Sequence, residues 1–177
     1  ERGAVVIDAD ALSRQATAAG GPAIDPIRRH FGADYIAPDG ALDRARMRQL
    51  TFSDAHARAR LEAIIHPLVG QQTTRQEADA VAAGASCIVF DVPLLVESRR
   101  WRQRVDQVIV VDCPHDMQAA RVMARNALPR GDVDRIIASQ APRLQRLRAA
   151  DIVIFNAGLT MAQLAAQVGQ VAESFGL

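Results

Sequence analysis

The chain has 177 residues, 49% of them hydrophobic, which suits one domain with a sizeable core. Its formal net charge is only +1, so the molecule as a whole is not drawn electrostatically to nucleic acid or to an anionic membrane. All 21 basic residues are arginine, so chemistry that needs a lysine does not come from this chain.

In chain order, the first element is the apolar run Ala4–Ile7 (AVVI), read as a short strand buried on both faces. It leads into Asp8 and Asp10. If the extended geometry persists, their side chains lie on one side, because strand residues i and i+2 point the same way. About eighty residues then precede the next strand, far more than one crossover helix needs. Gly20, Gly21, Pro22 and Pro26 break this stretch, Asp39-Gly40 marks a turn, and Asp43 reads as a helix N-cap. Residues 12–84 are expected to form a helical insertion. His66 is followed by Pro67, which disfavours helix at the histidine itself.

The second strand is expected at Cys87–Phe90 (CIVF), followed by Asp91 and the segment DVPLLVES. The third is Val108–Val111 (VIVV), followed by Asp112. Residues 114–148 then read as a second helical segment. Pro114 suits a first helical turn, Leu128-Pro129-Arg130-Gly131 is a break, Asp132 is the expected cap of the next helix, and Pro142 punctuates again. The fourth strand is Ile152–Phe155 (IVIF), followed by Asn156. Strands alternating with helices give an α/β fold with a mostly parallel sheet. Ligands in such sheets bind outside the carboxyl ends of the strands. Any one of the polar residues at those ends reads first as a turn or cap residue. Four together point to a site.

Cys87 and Cys113 sit in or beside apolar runs and read as free thiols of a reducing compartment, which makes a cytoplasmic location the expectation. No apolar stretch reaches the ~20 residues of a membrane span. No second His or Cys stands at zinc-ligand spacing from His66.

Arg121 and Arg125 are four residues apart and share a helix face, with Arg130, Arg135, Arg143 and Arg146 following. Such a segment resembles a lid that closes over phosphates, which guanidinium groups bind bidentately. It reads equally well as a solvated face whose ion pairs contribute little each. Asp91 at a strand end suits a magnesium ion held through water. Glu97 offers a hydrogen-bond acceptor to a substrate.

The blocks VIDAD, DGALDRARMRQLTF, LEAIIHPLV, DVPLLVES, RVMARN, RIIASQ and ADIVIFNAG, in this order, resemble the dephospho-coenzyme A kinases over essentially the whole chain. The resemblance implies an α/β, parallel-sheet P-loop kinase core with a helical substrate-binding insertion (12–84) and a helical lid (114–148). It implies transfer of the γ-phosphate of ATP, with Mg2+, to the ribose 3′-hydroxyl of dephospho-coenzyme A. Asp10 would be the general base and Asp8 would orient the turn or touch substrate. Arg44, His66, Leu94 and Glu97 would line the acceptor pocket. Arg121, Arg125 and Arg135 would meet phosphates, Asn156 would lie by the adenine, and Asp91 would be an outer-shell magnesium acceptor. The family's G-x-x-x-x-G-K-[ST] loop has no match here. Residues 1–177 are therefore expected to be a single kinase domain lacking its first strand and phosphate loop, inactive as a kinase on its own. The alternatives are another small-molecule kinase of this fold, or a catalytically inactive nucleotide- or coenzyme-A-binding module. Neither nucleic acid nor membrane is an expected partner.

Overall fold

The structure, a computed structural model, describes residues 3–98 and 101–177. The chain divides into two compact units, Glu1–Val92 and Pro93–Leu177.

In the first unit, β1 (Val5–Asp8) pairs in parallel with β2 (Ile88–Asp91), with Asp8 opposite Asp91. Between them run α1 (Ala9–Ala16), α2 (Ile24–Phe31), α3 (Arg44–Ser53) and α4 (Ala55–Ala82). Ala16, Ala23, Ile24, Ile27, Leu42 and Met47 form the core of this helical stretch, and Phe31, Leu61, Ile64 and Leu68 pack around it. Asp43 caps α3 as expected, accepting from the Arg46 N–H at 2.9 Å. Asp39 and Gly40 make the expected turn, with Gly40 at φ 86.

In the second unit, β3 (Ile109–Asp112) pairs in parallel with β4 (Ile152–Phe155). α5 (His115–Asn126), α6 (Arg130–Ala138) and α7 (Arg143–Ala149) lie between these strands in sequence, and α8 (Met161–Ser174) follows β4. α8 begins with a capping box: the Gln163 N–H donates to Thr160 Oγ1 at 3.2 Å, and the Thr160 N–H donates to Gln163 Oε1 at 2.9 Å.

Four details differ from the sequence expectation. The first three strands each extend into their terminal aspartate, because the ladder continues one residue past the apolar run. The strands are not buried on both faces: Val6 is 60% and Val111 63% exposed, since each strand has one partner among the described residues. α4 runs through His66 and carries Pro67 in its interior, at the cost of one intrahelical hydrogen bond. The helix persists because packing of Ala57, Thr73 and Ala80 outweighs local propensity. Finally, the break between α5 and α6 is at Ala127–Pro129, so Asp132 lies inside the first turn of α6 and Pro129 occupies the cap position. Among the described residues, no helix is long and apolar enough to cross a membrane.

Candidate active site

Asp8 and Asp10 do not share one side of a strand. The strand stops at Asp8 and helix α1 starts at Ala9. Asp8 becomes the N-cap of α1: its Oδ1 accepts from the Ala11 N–H at 2.8 Å, and its Oδ2 meets Arg14 at 3.4 Å. Asp10 falls in the first helical turn, where it is exposed. It has no hydrogen bond or ion pair among the described residues. The sequence does to the two aspartates what an i, i+2 pair at a strand–helix junction must do: one is spent on the cap and the other is left free.

Asp91 stands opposite Asp8 on the neighbouring parallel strand, about 4.8 Å away along the ladder direction. Its side chain is exposed and has no partner among the described residues. No group of three or more His, Cys, Asp or Glu side chains that could cage a metal occurs among the described residues. A single strand-end carboxylate such as Asp91 is the kind of ligand that could support a magnesium ion through water.

Arg44 opens α3 and is exposed, but its Nη2 donates to the hydroxyl of buried Thr17 at 2.7 Å. His66 is exposed on α4. The first unit thus holds Asp8, Asp10, Arg44, His66 and Asp91 of the expected site residues.

Leu94 and Glu97 belong to the second unit, in the turn after β2. Leu94 is 48% exposed. Glu97 is already engaged: its Oε1 accepts from the Ala141 N–H at 2.6 Å. Arg146 donates to the Ala141 carbonyl at 2.7 Å, so both sides of this residue between α6 and α7 are held.

Of the arginines on α5 and α6, Arg121 is exposed with no partner among the described residues. Arg125 donates through Nε to Asn126 at 2.8 Å. Arg135 is ion-paired with Asp132. Arg130 bridges Asp116 at 2.8 Å and Asp134 at 2.9 Å, tying α5 to α6 and lowering the pKa of Asp116. The arginine-rich segment is thus partly internal wiring and partly free cation.

Sequence reasoning missed the best-built ion pair of the second unit. Asp112, 4% exposed at the end of β3, receives Arg143 Nε at 2.9 and 3.1 Å and Nη2 at 2.6 Å. This fork pins the start of α7 to the carboxyl end of β3. The Arg143 hydrogen bonds hold the Asp112 carboxyl below its usual range, against burial, which pushes it up. The Asn156 N–H donates to the Asp112 carbonyl at 2.8 Å, so Asn156 is set beside the same strand end. A small cavity of about 90 Å³ opens there, lined in part by Cys113, His115, Arg143 and Arg146. The signal was present as a strand-end aspartate and an arginine directly after Pro142, but nothing in the sequence said that they pair.

Comparison with known proteins gives this arrangement a family. The model of the dephospho-CoA kinase family matches residues 1–161. A dephospho-CoA kinase of Albidiferax ferrireducens is 58% identical over 177 residues, covering 100% of this chain and 84% of the relative. One from Burkholderia pseudomallei is 49% identical over 173 residues, 98% of this chain and 84% of the relative. A crystal structure from Thermus thermophilus superposes with a TM-score of 0.79 at 28% identity, covering 97% of this chain and 85% of that one. The dephospho-CoA kinase structure from Campylobacter jejuni, at 19% identity and TM-score 0.64, shares the fold, with 97% of this chain and 87% of that one covered. Sequence relatives and superposed structures agree over nearly the whole length, and the chain belongs to the dephospho-CoA kinase family.

Proposed function

We propose that Asp10 is the general base of an ATP-dependent phosphorylation of the ribose 3′-hydroxyl of dephospho-coenzyme A. The observation that carries this assignment is the division of labour at the end of β1: Asp8 is consumed as a helix cap, while Asp10 is exposed and unpaired among the described residues. A carboxylate used as a cap loses an acceptor site; a free one keeps its oxygens for a hydroxyl proton.

In the proposed step the acceptor 3′-oxygen forms a bond to the γ-phosphorus of ATP. The bond from that phosphorus to the β–γ bridging oxygen breaks, ADP leaves, and the hydroxyl proton passes to Asp10. Positioning and charge neutralisation do most of the work in phosphoryl transfer. Asp8 orients the turn that presents Asp10. Arg44, His66 and Leu94 serve the acceptor; Glu97 serves it indirectly, by fixing Ala141. Arg121, Arg125 and Arg135 supply positive charge to phosphate, Arg135 from an ion pair with Asp132. Asn156, fixed by Asp112, lies on the adenine side. Asp91 would support, through water, a magnesium ion bound with ATP, which would neutralise phosphate charge. The 177 residues contain no G-x-x-x-x-G-K-[ST] loop and no lysine, so the phosphate contacts the chain itself offers are arginines. Free thiols at Cys87 and Cys113 support a reducing, cytoplasmic setting.

The test is turnover by the natural full-length protein with magnesium-ATP, comparing dephospho-coenzyme A with nucleoside monophosphates and locating the new phosphate by 31P NMR. Phosphorylation at the 3′ position of dephospho-coenzyme A, much faster than of any nucleoside monophosphate, is expected. Preference for a nucleoside monophosphate would overturn the proposal.

A further inference from the structure

Thr17 is one of the few buried polar side chains among the described residues, at 2% exposure, and it closes helix α1. A hydroxyl has one proton to give and two lone pairs. Here the proton goes chiefly to the Ser13 carbonyl at 2.8 Å, with the Arg14 carbonyl farther off at 3.3 Å, which fixes the hydroxyl and leaves its lone pairs for a donor. One of those lone pairs receives Arg44 Nη2 at 2.7 Å. The Thr17 carbonyl accepts from the Leu42 N–H at 3.0 Å, so the approach to α3 is stitched to the same point. Arg44 itself is exposed, has no carboxylate partner among the described residues, and retains four further N–H donors. An exposed arginine samples many rotamers, and a rigid buried acceptor selects one. The cation also sits at the carbonyl end of α1, where the helix favours positive charge.

Asp10 and Thr17 lie seven residues apart on α1, about 10 Å along the helix axis. An acceptor with its hydroxyl at Asp10 and an anionic group one short helix away would meet both ends. We infer that Thr17 is a positioning residue that holds Arg44 ready for the diphosphate-bearing part of the acceptor; this rests on the reading of Arg44 as an acceptor contact. Neither residue takes part in the bond-making step.

The experiment uses the natural full-length protein and the variants Thr17→Val, Thr17→Ser and Arg44→Ala, with steady-state kinetics in both substrates. Thr17→Val keeps the shape and removes the hydroxyl. It is expected to raise KM for dephospho-coenzyme A about five- to tenfold, the loss of one hydrogen bond, with kcat within about twofold. KM for ATP should not move, and Thr17→Ser should restore the wild-type value. If Thr17→Val does not fold, Thr17→Ala makes the same comparison. A raised acceptor KM in Arg44→Ala with none in the hydroxyl-free variant would overturn the inference and leave Arg44's role intact. No change in Arg44→Ala would overturn the acceptor reading of Arg44 itself. A fall in kcat with both KM values shifted, not rescued by serine, would show a merely structural threonine and also overturn the inference.

Discussion

Removing either member of the Asp112–Arg143 pair should not cost the same. The Asp112 side chain is 3% exposed and the Arg143 side chain 53% exposed. Asp112→Asn releases a cation that can turn to water and leaves a side chain of similar size in the buried position. Arg143→Met instead strands a buried carboxylate. An unpaired buried charge of this kind costs about 3 kcal/mol, which for a chain of this length lowers Tm by roughly 6–12 °C. The loss from Asp112→Asn should stay within about 3 °C. The pH dependence gives a second check. In the native protein the folded-state pKa of Asp112 is depressed, so its contribution is present above the ordinary carboxylate value of 3.8 and is lost as pH falls through the lowered value. In Arg143→Met the main lowering cause is gone and burial remains, so protonation relieves the variant. The Tm gap between the two proteins should be widest near neutral pH and narrow as pH drops towards 4. Calorimetry or circular-dichroism melts at several pH values would measure this. Equal losses for the two substitutions, or a gap indifferent to pH, would refute the reasoning.

Arg125→Ala should lower turnover at saturating magnesium-ATP by on the order of 10³-fold if the arginine meets transferring phosphate; near-native turnover would assign it to a solvated face. Gly21→Ala should destabilise the protein by several degrees in Tm, because an added Cβ would approach the Ala16 carbonyl oxygen to 2.4 Å. A melt no different from the parent's would mean that this backbone shifts freely.

Much of the fold was legible because it is local. Apolar runs of four residues bounded by polar ones gave the strands to within one position. Asp43 and Pro114 marked helix starts to within one position because capping and proline chemistry act within a turn. Local rules also failed where a competing term won. Period-two geometry placed Asp8 and Asp10 together, but the helix begins between them. Proline chemistry argued against helix at His66, and packing carried α4 through it. The long-range side-chain pairing was not legible at all. Thr17 and Arg44 are 27 residues apart, Asp112 and Arg143 are 31 apart, and Glu97 and Ala141 are 44 apart. Only the folded chain chooses which of 21 arginines meets which acceptor.

The central claim is that Asp10, and not Asp8, takes the acceptor's proton. Asp10→Asn keeps the size of the side chain and removes its basicity. In the natural full-length protein, single-turnover phosphoryl transfer should fall by ~10²–10⁴-fold, with calorimetric affinity for dephospho-coenzyme A retained. Asp8→Asn, which can still cap α1, should cost far less in rate. An unchanged single-turnover rate in Asp10→Asn, or a larger loss in Asp8→Asn, would contradict the account.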